Sequence, residues 1–188
     1  MGINAMNIIH FDIGANMAFA HNGCGDFVVV EKFVCEGSRA WRAACTLLWL
    51  ARRHSEFKKA GIKFDVCHYE RPFTRGYDAS RSLWGIAGLI EGVFGNDCVV
   101  LDSTPQQIKT FAIGEPKRVI EYEIVKGKKK RKKMTSAART KAAAEEKLLM
   151  IARAQALGYM GENEHEADAF LGLKYAEQNC VATTGEKK

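Results

Sequence analysis

The sequence predicts an α/β fold, a five-stranded mixed sheet with helices on both faces. Three observations carry this. The chain opens with three consecutive strand-like segments, two later strands each follow a long helical pattern, and two helices close the chain. The order βββαβαβαα needs antiparallel pairing at the start and crossover connections afterwards, which excludes a purely parallel doubly wound sheet. With 188 residues and 47% hydrophobic composition, one domain with a substantial core is expected.

The elements follow in order. Asn7 to Asp12 reads as a buried strand, turned by Gly14-Ala15-Asn16 into Met17 to His21. His21-Asn22-Gly23 is a second hairpin signal, leading to a valine-rich strand from Asp26 to Val34. Gly37-Ser38 offers a helix cap, and Trp41, Ala44, Cys45, Leu48 and Trp49 recur at helical spacing to about Lys59. Gly61 breaks that helix before strand four, Phe64 to Glu70. Pro72 and Gly76 mark a loop, and Asp78 or Ser80 can cap the next helix, through Leu83, Ile86, Ala87, Ile90 and Phe94. Gly85, Gly88 and Gly92 cost this helix roughly 1 kcal/mol each. Their spacing suggests a smooth face for close packing, on a second subunit or within the chain. Cys98 to Asp102 is strand five, and Pro105 opens a short helical turn. Ala137 to Leu157 is strongly helical and is expected to pack through Leu148, Ile151, Ala152 and Leu157. Gly158 and Gly161 stop it, and a last helix runs from about Glu164 to Cys180.

Composition narrows the function classes. No apolar run approaches the roughly 20 residues of a membrane span, and Asp12 interrupts the only apolar stretch near the N-terminus, so neither a membrane segment nor a signal peptide is expected. The six cysteines are scattered without a CxxC pair, which reads as free thiols in a reducing cytoplasm. The net charge of +6 is concentrated. Residues 126–141 hold nine of the 28 basic residues and no acid, so 19 remain elsewhere against 22 acids, a net of −3. A mildly acidic body with one strongly basic segment suggests a flexible arm that neutralises phosphates. A solvated loop and a nuclear-localisation run are the other readings.

Three acids and a histidine sit where core elements could aim them at one point. Asp12 ends the first strand and Glu70 the fourth, and His165 and Asp168 stand three apart at the start of the last helix, on one face. Buried carboxylates are costly unless paired or metal-bound, so the set suggests a divalent-cation site. Two Mg²⁺ ions about 3.5–4 Å apart could be bridged by Asp12, and Mn²⁺ is expected to substitute. Glu164 and Glu166 are rivals for the metal role. Glu164 could replace His165, whereas Glu166 points away from Asp168. His10, facing away from Phe11, reads as packing.

These residues resemble the RuvC Holliday junction resolvases of the ribonuclease H-like fold, most of all divergent phage-type members. Ile9-His10-Phe11-Asp12-Ile13-Gly14 is similar to the family's first acid motif, with Ile13 where proline is usual. Tyr69-Glu70 is similar to the second, and Phe73 to an aromatic that stacks at the junction centre. Pro105-Gln106-Gln107-Ile108-Lys109 resembles the segment whose lysine contacts DNA. Lys147-Leu148-Leu149-Met150, with Ala154-Gln155-Ala156-Leu157-Gly158, resembles the next segment. His165-Glu166-Ala167-Asp168-Ala169-Phe170 resembles the last motif, where some members carry His and others Asp. The main departure lies between Gly114 and Lys147, where the family passes through a short glycine-containing loop.

The resemblance implies a single RuvC-like nuclease domain over 1–182, with a basic insert at about 115–146 and a frayed tail over 183–188. It implies a Mg²⁺-dependent homodimeric endonuclease that cuts branched DNA, four-way junctions above all. Asp12, Glu70, His165 and Asp168 would hold the metals. Lys109, Lys147, Lys128, Lys129, Lys130, Arg131, Lys132 and Lys133 would hold phosphates, and Phe73 an unstacked base. A less selective nuclease on flaps, forks or RNA is the near alternative, and a non-catalytic DNA-binding scaffold of the same fold a third. An actin-like sugar kinase also begins with a strand ending in Asp-x-Gly, but needs a second phosphate motif and a longer chain.

Overall fold

Ile8–Asp12 forms strand β1, and its position explains its composition: it is the centre of the sheet, and all five residues are buried. The computed structural model describes residues 6–14, 16–25, 27–72, 77–114, 122–125, 128–131 and 135–184. Strand β2 (Asn16–Cys24) pairs antiparallel with β1, and β3 (Phe27–Val34) antiparallel with β2. Strand β4 (Val66–Glu70) lies parallel to β1 on its other side, and β5 (Val99–Ser103) parallel to β4. The sheet order is β3-β2-β1-β4-β5. The mixed five-stranded sheet expected from the sequence is therefore present.

Strand alternation sorts the core into two layers. Ile9, Phe11, Met17, Phe19, Cys67 and Tyr69 face helices α1 (Arg39–Lys59) and α2 (Tyr77–Phe94), meeting Leu50, Phe57, Ile90 and Phe94. Ile8, Ala18, Ala20 and Val66 face helix α5 (Glu164–Thr184), meeting Ala169, Leu173 and Ala176. The small alanines on both surfaces let α5 approach the sheet closely. Each fully buried Phe, Ile or Leu contributes about 1.5–3 kcal/mol. Helices α3 (Pro105–Ile113) and α4 (Ser136–Ala156) build a third cluster against α5, through Ile108, Met150, Ala154 and Phe170.

Several expectations are corrected. The His21-Asn22-Gly23 signal lies inside β2, not at a turn. A bulge follows His21, and Asn22 uses its carboxamide on the sheet edge, accepting from the Ile8 N–H at 2.7 Å and donating to the Met6 carbonyl at 3.0 Å. Gly23 is needed because an added Cβ would stand 2.8 Å from Ile62. Helix α2 begins at Tyr77, so Asp78 and Ser80 fall inside its first turn and not at the cap before it. The Pro105 turn is a nine-residue helix, stabilised by a reciprocal capping box between Thr104 and Gln107. Helix α4 packs through Met150 and Ala154, with Ile151 and Leu157 against the same cluster as expected, whereas Leu148 is 67% exposed and Ala152 is exposed. The packed face of α4 thus keeps Ile151 and Leu157 of the expected set and replaces Leu148 and Ala152 with Met150 and Ala154.

The basic segment is the largest difference. Tyr122–Val125 (β6) and Lys128–Arg131 (β7) pair as a separate antiparallel sheet, where a flexible arm was expected. Lys132 and Lys133 lie outside the described residues, as does Phe73. The last helix continues to Thr184, past the expected end at Cys180, so the first residues of the predicted frayed tail are helical; 185–188 lie outside the described residues. None of the six cysteines forms a disulfide. Among the described residues no helix is long and apolar enough to cross a membrane.

Candidate active site

The pairing of Phe11 with Tyr69 sets the register of the two parallel strands, so the residues that follow, Asp12 and Glu70, end neighbouring strands at the same edge. Both share strand parity with Ile8, His10, Val66 and His68, and so belong to the face covered by α5. Along that helix Ala176, Gly172 and Asp168 stand successively nearer its N-terminus. Gly172 lies against His10, where a Cβ would come within 1.9 Å of Nε2. One turn earlier, Asp168 reaches the level of the two strand-end acids. The site therefore lies at the carboxyl ends of parallel strands, where open α/β sheets bind ligands.

The three carboxylates act on one another. Burial pushes the Glu70 carboxyl up to about 8, reinforced by repulsion from Asp12 and Asp168 and partly offset by Lys109. Burial and Asp12 raise Asp168 to about 7, against Lys109 and His165. Asp12, only 8% exposed, is raised chiefly by burial, with His165 opposing. Such mutual elevation arises where carboxylates share a site without enough positive charge.

His165 is held between two partners. Its Nδ1 lies 3.5 Å from Asp12 Oδ2, and its Nε2 lies 3.4 Å from Asn16 Nδ2. An amide donor at Nε2 fits the tautomer that carries its proton on Nδ1, toward Asp12. The Asp12 contact raises the pKa of the imidazole, against its partial burial. The entry of α5 into this position depends on Asn163, whose carboxamide oxygen accepts from the His165 and Glu166 N–H groups at 3.1 and 3.3 Å.

Glu164 and Glu166 each have another partner. Glu164 binds the Lys147 ammonium at 2.7 and 2.9 Å, which holds its carboxyl below the usual range. It also stands 3.7 Å from His165 Nε2, so it borders the site as an ion-pair partner. Glu166 accepts from the Tyr159 hydroxyl at 2.8 Å, away from the acids. Lys109 pairs with Glu146 of α4 while its charge reaches Glu70 and Asp168. Lys109 and Lys147, two of the basic residues singled out in the sequence, thus each have a carboxylate partner.

Three further residues border the site and carried no motif. Asn16 opens β2. Lys32 on β3 acts electrostatically on His165 and Glu164. Ser103, paired in register with Glu70, buries a hydroxyl that has no hydrogen-bond partner among the described residues. A third strand ending in a polar residue, Val99-Val100-Leu101-Asp102-Ser103, was the signal that could have pointed to the last.

The donor set suits a hard divalent cation, which takes carboxylate oxygens, and an unpartnered hydroxyl beside Glu70 leaves further polar capacity there. The ligands are not closed around one point: among the described residues no three His, Cys, Asp or Glu side chains stand together as a ready metal cluster. Carboxylates that repel one another are expected to stay apart until a cation neutralises them.

Two solved structures share the fold over nearly the whole chain. "T. thermophilus RuvC in complex with Holliday junction substrate" aligns with a TM-score of 0.54 and 13% identity, over 92% of this chain and 95% of that one. "Thermus thermophilus RuvC structure" aligns at 0.53 and 14%, over 96% and 97%. No family model matches the sequence, and no curated protein is similar to it in sequence. At this identity the likeness shows the fold alone, α/β and ribonuclease H-like.

Proposed function

We propose that the chain is a Mg²⁺-dependent endonuclease that hydrolyses phosphodiester bonds in branched DNA, four-way junctions above all, as a homodimer. The observation that supports this most is the convergence of Asp12, Glu70 and Asp168 at the carboxyl ends of β1 and β4, in a fold shared with a protein solved on a Holliday junction.

Asp12, Glu70, Asp168 and His165 would hold the metal, with Asp12 central because it faces both other acids and the imidazole. When bound, a Mg²⁺ pair supplies a polarised water and charge stabilisation for the departing 3′ oxygen. His165 contributes a neutral ring nitrogen after losing its proton. Lys109 and Lys147 exchange Glu146 and Glu164 for phosphate oxygens, so the carboxylates hold the lysines extended until DNA arrives. Phe73 would stack on an unpaired base, worth about 1–3 kcal/mol. For the second subunit, the smooth stripe of α2 is open: an added methyl at Gly85, Gly88 or Gly92 would meet no atom of the described residues within 4 Å. The intrachain reading of that stripe therefore has no described contact behind it.

The test is incubation of the purified protein with a synthetic four-way junction, a flap, linear duplex and RNA, with and without Mg²⁺. Paired nicks on the junction at lower enzyme concentration than on the others are expected. Equal cutting of all four would make it a less selective nuclease, and binding without cutting in either Mg²⁺ or Mn²⁺ would make it a scaffold.

A further inference from the structure

The β6–β7 ribbon pairs Tyr122 with Arg131, Glu123 with Lys130, Ile124 with Lys129 and Val125 with Lys128. Every residue of β7 is cationic. Successive strand positions alternate between faces, so each face of the ribbon has two cationic positions. A surface hairpin ordinarily turns one apolar face to a core, and β7 has no apolar position to contribute. Lysines that merely block edge-to-edge pairing need not form an unbroken run. Glu123, across from Lys130, is the one acid of the two strands, and none occurs between residues 124 and 144, so the ribbon keeps a large positive excess. A ribbon with cations on both faces suits an anionic partner present on both sides of it.

The major groove of B-DNA is such a place. It is about 12 Å wide, admits a two-stranded β-ribbon, and has a phosphate backbone along each wall. Four strand residues rise about 13 Å, which matches the groove. The deep, narrow major groove of duplex RNA does not admit the same element, and single strands offer no groove. We infer that β6–β7 docks as a preformed unit in the major groove of a duplex DNA arm, with positions 128 and 130 toward one backbone and 129 and 131 toward the other. This rests on the branched-DNA reading above and assigns the ribbon to the duplex arms, leaving the branch point to the acid site. A preformed ribbon also avoids the ordering cost that a flexible basic arm incurs on binding.

The experiment separates shape from charge. In the double variant Ile124→Pro/Val125→Pro all charges remain, yet adjacent strand residues alternate in direction, so one of the two missing N–H groups faces β7. A second variant, Lys128→Gln/Lys129→Gln/Lys130→Gln/Arg131→Gln, keeps the ribbon and removes the charge. Binding of parent and variants is measured in chelator on a DNA duplex, an RNA duplex of the same sequence, a DNA single strand and a four-way junction. The expected result is a loss of about tenfold or more on DNA duplex for both variants, the scale set by removing a few lysine–phosphate pairs. On RNA duplex and single strand the proline variant should match the parent. Parental binding of DNA duplex by the proline variant would overturn the inference in favour of a flexible arm. Equal losses on all nucleic acids would overturn groove docking. Failure of the parent to bind any of the DNAs would instead overturn the branched-DNA reading itself.

Discussion

The His165 imidazole stands 3.5 Å from the Asp12 carboxylate, Nδ1 to Oδ2, although 153 positions separate them in the chain. The contact raises the pKa of the histidine above its ordinary value of 6.5. To bind a cation His165 must first lose that proton, so activity should fall on the acid side beginning above pH 6.5. Substitution His165→Asp should keep partial activity and flatten this limb, and Glu164→Ala, which frees Lys147, should do less. Turnover measured against pH for the three proteins checks the order; a larger loss from Glu164→Ala would transfer the role to that residue.

The strand-end acids give a second prediction, in stability. Glu70 rises from 4.5 to about 8 and Asp168 from 3.8 to about 7 in the fold. Between those limits the folded protein binds protons that the unfolded chain has released, so stability in chelator should decrease as pH rises across the window. Glu70→Gln removes one of the crowded charges and should raise Tm near pH 8 by a few degrees, about 2–4 °C for each kcal/mol relieved. It should also abolish the rise in Tm that Mg²⁺ gives the parent. A melt showing parental Mg²⁺ stabilisation of the variant would remove Glu70 from the ligand set.

Catalytically, Asp12→Asn and Glu70→Gln should each leave below about 1% of parental turnover, because activating water through the cation is worth several kcal/mol. Junction binding should persist, since Lys109 and Lys147 remain. Single-turnover cleavage alongside gel-shift affinity separates the two effects, and unchanged turnover by either variant in Mg²⁺ would sink the assignment.

How much of this was legible in the sequence depends on the kind of signal. The core strands could be read because Ile8 to Asp12 and Val66 to Glu70 are apolar runs ended by an acid, a pattern that tertiary context had no cause to override. Asp12, Glu70 and Asp168 could be read for the same reason: an acid where an element leaves the core needs an explanation. The β6–β7 ribbon could not, since Lys128-Lys129-Lys130-Arg131 has poor strand propensity and its pairing lies in backbone register. The packing face of α4 was obscured because its alanines make several helical faces nearly equal in apolar character. Asn16 and Lys32 were invisible because their roles arise from the register of β2 and β3 against α5. The carboxylate partners of Lys109 and Lys147 were hidden likewise, since Glu146 belongs to a different helix from Lys109, and Glu164 to a different helix from Lys147.

Those two pairs carry a prediction for binding. Lys109→Gln and Lys147→Gln should each weaken duplex and junction binding and reduce the slope of log affinity against log salt by about 0.9 for each phosphate that is no longer neutralised. Because each lysine must leave a carboxylate to reach DNA, Glu146→Gln should strengthen binding modestly. Titrations at several salt concentrations check both; an unchanged slope for Lys109→Gln would confine that lysine to its ion pair.

The last prediction concerns the helix that delivers Asp168 and His165. His10 and His68 are buried beneath α5 with their Nδ1 atoms 2.7 Å apart, and His10 Nε2 has no hydrogen-bond partner among the described residues. Burial lowers the pKa of both imidazoles, so the pair is neutral, one ring donating to the other. Helix α5 crosses them at Gly172, where an added Cβ would stand 1.9 Å from His10 Nε2. His10 is fully buried, paired in register with Ala20 and His68 and lying against the His68 ring, and has little room to withdraw. Gly172→Ala should therefore lift α5 or displace the imidazole, costing about 1–3 kcal/mol or more as overpacking. Because Asp168 is one turn away on the same helix, cleavage should fall even below the melting temperature, with Mg²⁺ required at higher concentration. Truncating the opposing ring should relieve the clash, so Gly172→Ala combined with His10→Ala should be more stable than the sum of the single losses. Thermal melts of the four proteins measure that coupling. Additive losses would mean that His10 yields to the methyl group, and the close approach of α5 to β1 would then place no demand on residue 172.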